Sequence, residues 1–184
     1  MTILAFDTAT SFGAVCALTP GETRRSTARA GDVLELVDEL VDEPAELEGI
    51  VVGRGPGSFT SIRIGLAVAR ALSLALEIPV AGVSTLEAFA TGVVVLDARR
   101  GEVFVAGPRA CGPDELAVDG LTLVGDGAIR YRASFEARGG SVPPDADPVH
   151  RPDPVVLAAR AGAFGDAALV EPLYGREPDA KAIA

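Results

Sequence analysis

The sequence predicts an α/β protein built on mixed sheets and organised as two related halves. Three observations carry this. Short β-branched runs alternate with longer stretches of helical apolar spacing. The chain opens on a meander of short strands joined by Asp, Thr, Ser and Gly turns. The meander-then-helix pattern that starts at Ile3 starts again at Val93, although no sequence repeat accompanies it. The expected division is 1–91 for the N-terminal half and 92–184 for a smaller C-terminal half.

Ile3 to Phe6 is a short apolar strand, "DTATSFG" a turn, and Ala14 to Leu18 a returning strand; Arg24 to Ala28 is a candidate third. Asp32 to Glu43 reads as a helix. Val33, Leu34, Leu36, Val37, Leu40 and Val41 form its apolar stripe, acidic residues form its other face, and Pro44 stops it. A buried strand around Ile50 to Val52 feeds "GRGPGSFTSIRIG". Ser58 or Thr60 is the expected N-cap of a helix running to about Leu76. "IPVAGV" is the next buried strand, and Ser84 with Glu87 makes a capping box for a further helix. In the second half, "GVVVLDARRGEVFVAG" reads as a hairpin turning at Asp97 to Gly101. "LTLVGDGAIRY" reads as strand, turn and helix start, 139–151 as loop, and "PDPVVLAARAGAF" as a helix with Pro154 in its first turn. The tail "VEPLYGREPDAKA" is expected to be extended.

The chain is 48% hydrophobic and 23% charged with net charge −10, which suits a globular core and disfavours sequence-independent nucleic-acid binding by this chain alone. Cys16 and Cys111 are expected to be free thiols. The first residues lack the basic region of a signal peptide, and the longest apolar stretch is broken by Arg70, Glu77 and Pro79. No membrane association and a cytoplasmic location are expected.

The glycine-rich stretch is the most distinctive motif. It has no Lys for a phosphate-binding P-loop, and Ser58 stands where a dinucleotide fingerprint needs its third Gly. It reads as a tight strand-to-helix corner whose helix N-terminus retains some attraction for anions. The helix after it is apolar nearly all round, with Gly65, Ala69 and Ser73 at four-residue spacing. One side is expected on its own sheet and the other on a partner. Asp7 and Thr8 suit turn chemistry, and are also a candidate nucleotide-facing turn. His150 is the sole histidine, so no histidine pair can hold a metal. No catalytic residue, metal or cofactor is assigned.

"ILAFDTAT", "GIVVGRGPGSFTSIRIG", "IPVAGVSTLEAFA", "DARRGEVFVA" and "GDGAIRY" stand in the order found in the bacterial TsaB (YeaZ) family of tRNA threonylcarbamoyladenosine biosynthesis proteins, which the chain resembles up to about Tyr131 and again at "EPLYGREPDA". The resemblance implies an actin-like, Hsp70-like (ASKHA, ribonuclease H-like) fold with two subdomains. It implies a non-catalytic scaffold or activator that binds TsaD, the subunit that transfers threonylcarbamoyl to the adenosine beside the anticodon of ANN-decoding tRNAs. TsaE would join a ternary complex, a homodimer would form when the chain is alone, and tRNA would be met only through the complex.

TsaD-like enzymes carry two metal-holding histidines on an early helix. The matching helix here has Gly31, Leu34 and Glu35 and no histidine. Ser61 stands where the family usually has Gly, and the chain is shorter than usual, so a trimmed second subdomain is expected. The family motif falls on Arg54, Gly55, Pro56, Gly57, Ser58, Phe59, Thr60 and Arg63. Val33, Leu34, Val37, Leu40, Ile62, Leu66 and Ala69 are the candidate partner contacts, and Asp7 with Thr8 a candidate vestigial nucleotide-facing turn. The alternative is an actin-like nucleotide-binding ATPase or small-molecule kinase; a peptidase, suggested by older family naming, has no organised serine or metal histidines behind it.

Overall fold

The computed structural model describes residues 1–19 and 26–176. A five-stranded mixed sheet, ordered β3-β2-β1-β4-β5, forms the centre of the first half. It contains β1 (Ile3–Asp7), β2 (Ala14–Thr19), β3 (Ser26–Ala28), β4 (Gly49–Gly53) and β5 (Val80–Val83). β1 and β2 run antiparallel, with Ile3 opposite Thr19 and Asp7 opposite Val15, and β4 and β5 then add parallel strands. Arg24 and Arg25, expected to begin β3, lie outside the described residues.

The two-residue period of a strand divides this sheet between two cores. Leu4, Phe6, Ile50 and Val52 face one way and pack under the helices α1 (Val33–Leu40) and α2 (Phe59–Leu76). Ala5, Val51, Ala81 and Val83 face the other way. They meet Phe89, Leu96, Phe104, Val124 and Leu157. Both faces are covered, which explains why β1 and β4 read as continuous apolar runs. Each fully buried Leu, Ile or Phe contributes roughly 1.5–3 kcal/mol.

α1 is shorter than the expected span to Glu43. Val41 is extended, and Glu43 is held off the helical region by the following Pro44. Ser58 caps α2 by accepting the Ser61 amide at 3.4 Å, and Glu77, left-handed at φ 55°, ends it. α2 is long and apolar enough to cross a membrane by length and composition alone. Here Ile62, Gly65, Leu66, Val68 and Ala69 pack on the sheet, and Arg70 donates to the carbonyls of Ala167 (3.3 Å) and Val170 (2.9 Å).

The stripe expected to face a partner therefore faces the sheet. Val33, Val37, Leu40, Ile62, Leu66 and Ala69 are all buried in the chain's own core, because these residues are the ones that cover Leu4, Phe6, Ile50 and Val52. Of the seven candidate contacts only Leu34 is exposed, at 52%. α2 is buried on one side rather than two, and Leu74 on its open side is 83% exposed.

In the second half, β6 (Val93–Val94) pairs with β10 (Leu123–Val124), while β7 (Leu96–Arg99), β8 (Glu102–Val105) and β9 (Arg109–Cys111) form an antiparallel sheet. The expected hairpin is present, with Arg99, Arg100 and Gly101 all at positive φ at its tip. Beside it lie α3 (Asp126–Arg130) and α4 (Arg132–Glu136), the latter not anticipated from sequence. The expected helix after Ser84 is only a 3-10 turn over Thr85–Glu87. Ser84 makes no capping bond and donates instead to the Gly55 carbonyl at 3.3 Å.

The chain then returns to the first sheet. α5 (Pro154–Ala159), capped by Asp153 on the Val155 amide at 2.8 Å, packs against β1, β2 and β4. Val80 and Gly165 exchange two backbone bonds of 2.9 and 3.0 Å, and the Leu173 amide donates to the Arg54 carbonyl at 2.7 Å. Of the expected extended tail, residues 177–184 lie outside the described residues. Cys16 and Cys111 are free and buried, and burial pushes the Cys16 thiol up to about 12.

Candidate functional site

The end of β1 delivers Asp7 into the interior, where it is 1% exposed. Its Oδ1 accepts the Ala9 amide at 2.7 Å and its Oδ2 accepts the Thr85 hydroxyl at 2.6 Å. Thr85 in turn accepts the Gly55 amide at 3.1 Å, and its own amide donates to the Gly55 carbonyl at 2.8 Å. Burial raises the Asp7 carboxyl above its ordinary value, opposed by the Thr85 hydroxyl and the Ala9 amide. Asp7 thus ties the first turn to the glycine-rich corner and to the segment after β5.

The corner itself depends on missing side chains. A Cβ on Gly53 would lie 1.7 Å from Asp7 Oδ2, and one on Gly57 would lie 2.3 Å from the Ala9 carbonyl. Gly65 allows Thr8 to reach α2: a Cβ there would meet Thr8 Oγ1 at 2.5 Å, and that hydroxyl donates to the Ser61 carbonyl at 2.7 Å. Asp7 and Thr8 are both enclosed by these contacts and neither lines the cleft beside them.

That cleft, about 920 Å³, opens between the first turn and the β7–β8 hairpin. One wall holds Thr10, Ser11, Gly57, Ser58, Thr60 and Ser61; the other holds Asp97, Arg99 and Arg100. Asp126 joins the walls: its Oδ2 accepts the Ser11 amide at 3.0 Å and its Oδ1 accepts the Asp97 amide at 2.9 Å. Asp97 pairs with Arg99 at 3.3 Å and Arg130 at 3.0 Å.

At the rim, Phe59 stacks on Tyr174 with ring centroids 4.9 Å apart. The Arg63 guanidinium lies 4.0 Å over the Phe59 ring and donates to the Tyr174 hydroxyl at 3.1 Å. Arg54 points away from the cleft toward residues 170–173, its Nη1 lying 3.5 Å from the Glu171 carbonyl. The motif residues thus divide: Gly57 to Thr60 and Arg63 line the cleft, while Arg54, Gly55 and Pro56 form the corner beneath it.

His150 is fully buried. Its Nδ1 accepts the Gly125 amide at 3.2 Å, so the ring proton sits on Nε2, 3.0 Å from the Pro143 carbonyl that accepts it. This is a structural role. Among the described residues, no group of three or more His, Cys, Asp or Glu gathers as a metal set.

Sequence reasoning reached the glycine corner but missed Thr85, Asp126 and the arginine side of the cleft. The quoted "DARRG" and "GDG" segments held the signal: each turn carries its Asp to one wall of the cleft.

The family model described as "TsaD: tRNA N6-adenosine threonylcarbamoyltransferase" matches residues 26–112. An uncharacterised protein of Mycobacterium tuberculosis (strain ATCC 25618 / H37Rv) is 38% identical over 213 residues, covering 100% of this chain and 95% of its own. The tRNA threonylcarbamoyladenosine biosynthesis protein TsaB of Escherichia coli (strain K12) is 35% identical over 128 residues, a match spanning 58% of this chain and 54% of the relative. A solved structure, described as an uncharacterized protein with similarity to peptidase YEAZ from Pseudomonas aeruginosa, superposes with a TM-score of 0.78 at 26% identity over 95% of this chain and 99% of that one.

Proposed function

This chain belongs to the TsaB (YeaZ) family, and we propose that it is the non-catalytic subunit of the assembly that adds threonylcarbamoyl to the adenosine beside the anticodon of ANN-decoding tRNAs, acting by binding the catalytic TsaD subunit. The observation that carries this reading is the open face of α2. Phe59, Arg63, Ala67, Ala71 and Leu74 recur at three- and four-residue spacing and are all exposed. Leu34, 52% exposed, adds an apolar residue from α1, and Glu35, Asp38 and Glu39 leave that helix's outer side acidic. A largely apolar helical face flanked by acidic residues fits a partner with an apolar strip and basic rim.

The sheet order, three antiparallel strands followed by two parallel ones, supports the actin-like, ribonuclease H-like (ASKHA) reading with two subdomains. A homodimer of the lone chain, a ternary complex with TsaE and a cytoplasmic location belong to the same proposal. With net charge −10, the chain meets tRNA through the complex. The ATPase or kinase alternative needs a carboxylate facing substrate, and Asp7 is turned inward onto Thr85 and Ala9.

Light scattering after size exclusion, on the chain alone and mixed with TsaD of the same organism, tests this. A homodimer replaced by a one-to-one complex supports it. Leu74→Glu and Leu34→Glu are expected to abolish that complex without lowering Tm. A chain that stays monomeric in both runs overturns the reading.

A further inference from the structure

Residues 160–176 run across both halves of the chain and are held in two different ways. The part up to Val170 is built into the first half. Gly165 exchanges two backbone bonds with Val80 at the edge of the five-stranded sheet, Arg70 donates to the Ala167 and Val170 carbonyls, and Ala167 is buried. Val170 fills the space over Gly82, where a Cβ would lie 2.5 Å from its Cγ1. From Glu171 to Arg176, by contrast, every residue is half-buried or exposed. The Leu173 amide donates to the Arg54 carbonyl at 2.7 Å, and Tyr174 lies on Phe59 and accepts from Arg63. The segment then crosses to the second half. The Gly175 carbonyl accepts the Ala110 amide at 3.1 Å on β9, an edge strand, and Arg176 donates to the Ala98 carbonyl at 3.1 Å and pairs with Glu102.

Gly175 fixes the crossing. Its φ of 68° is left-handed, and a Cβ would lie 2.8 Å from two atoms of the Phe104 ring and 3.0 Å from Pro56. Phe104 is 3% exposed, belongs to the core between the halves, and lines the cleft wall. A backbone stretch with no buried anchor of its own therefore covers a core ring. Segments with few buried apolar contacts and surface hydrogen bonds are the ones that open locally.

We propose that Glu171–Arg176 is a latch that opens as a unit while the rest of the fold stays intact. One short segment carries the Leu173–Arg54 bond, the Tyr174–Phe59 stack and the Gly175–Ala110 bond, so all three break together. Opening leaves β9 with an unpaired edge, uncovers Phe104 in the cleft wall, and frees the Phe59 ring at the start of α2. Tyr174 and Arg176 both line the cleft, so widening of the cleft and release of Phe59 are one event. The latch is a property of the chain itself and does not rest on partner binding.

The test is residue-resolved hydrogen exchange by NMR on the full chain at stepped, low urea. After correction for intrinsic rates, the Ala110 and Leu173 amides are expected to exchange about 100-fold or more faster than the amides of β1 and β4, and with little urea dependence, as an opening that exposes little surface requires. Gly175→Ala is expected to accelerate both amides by about a further 10-fold, because the new Cβ meets Phe104 and the backbone is left-handed there, while the Val80 amide keeps its rate. Arg176→Ala, which leaves the backbone free of strain, is expected to accelerate the same two amides by a few-fold. Exchange of Ala110 and Leu173 at the rate and urea dependence of the core amides overturns the latch, since the segment would then open only on global unfolding. Acceleration of Ala110 without Leu173 overturns it as a unit, and equal acceleration of Val80 in Arg176→Ala overturns its boundary at Val170. If Gly175→Ala does not fold, the parent and Arg176→Ala decide the matter.

Discussion

Thr85 donates its hydroxyl to the buried carboxylate of Asp7 at 2.6 Å across 78 residues of chain. The same oxygen accepts the Gly55 amide. One side chain thereby supports both the first turn and the glycine-rich corner.

Thr85→Val is accordingly expected to destabilise the protein by about 2–4 kcal/mol, since it strands a buried carboxylate and the Gly55 amide together. Thr85→Ser is expected to retain most of the stability. Urea unfolding of the three proteins distinguishes these outcomes; equal midpoints for Val and Ser would show the hydroxyl to be idle.

The pH dependence has a definite sign. Burial raises the folded carboxyl of Asp7 above its ordinary 3.8, so between that value and its raised folded value the folded state holds the extra proton. The contribution of Asp7 to stability is therefore fully present below 3.8 and declines as pH rises through the window. Asp7→Asn removes this slope. The stability of the parent relative to Asp7→Asn is expected to fall on going upward from pH 3.8 and then level off, measured by urea unfolding at stepped pH.

Gly53→Ala would place a Cβ 1.7 Å from Asp7 Oδ2. Such overlap in a well-packed core typically costs about 1–3 kcal/mol and here belongs at or above the upper end. The cost is expected to shrink sharply when Gly53→Ala is made in an Asp7→Ala background, giving a coupling of roughly 1 kcal/mol or more in a double-mutant cycle. Additive effects would separate the two residues.

Asp126→Ala removes the acceptor of two amides, Ser11 and Asp97, on opposite walls of the cleft. Both amides are expected to exchange with deuterium faster, while core amides of β1 and β4 keep their protection. Unchanged exchange at Ser11 would mean the walls are held together elsewhere.

His150 presents an acceptor to Gly125 and a donor to Pro143 with no solvent access. His150→Leu is expected to cost about 2–4 kcal/mol, as two buried backbone groups lose their partners. Long-range nitrogen–proton correlation spectra are expected to show the Nε2–H tautomer.

What the sequence made legible was local. Leu4 and Phe6, Ile50 and Val52 announced buried strands by standing in short apolar runs, and Ser58 announced the start of α2 by its place before a helical run. Val33 and Ile62 showed that a stripe would be buried, but helical spacing does not say whether a sheet or another subunit buries it. Ser84 and Glu87 have capping-box spacing, yet the next residues leave the helix because Ala88 and Phe89 are drawn into the second core. The roles of Thr85 and Asp126 come from contacts across 78 and 115 residues, which no local pattern encodes.

The return of α5 to the first sheet has a consequence during synthesis. The face of that sheet under α1 and α2 can largely close once β5 has left the ribosome, because its covering residues, apart from Ala167, Val170 and Tyr174, precede or adjoin Val83. The opposite face must wait for Leu157, about 70 residues later, and at ordinary elongation rates this interval is on the order of 4–14 s. Through that time Ala5, Val51, Ala81 and Val83 remain without their final cover, so a nascent chain stalled before α5 is the form of this protein most apt to aggregate or to recruit a chaperone.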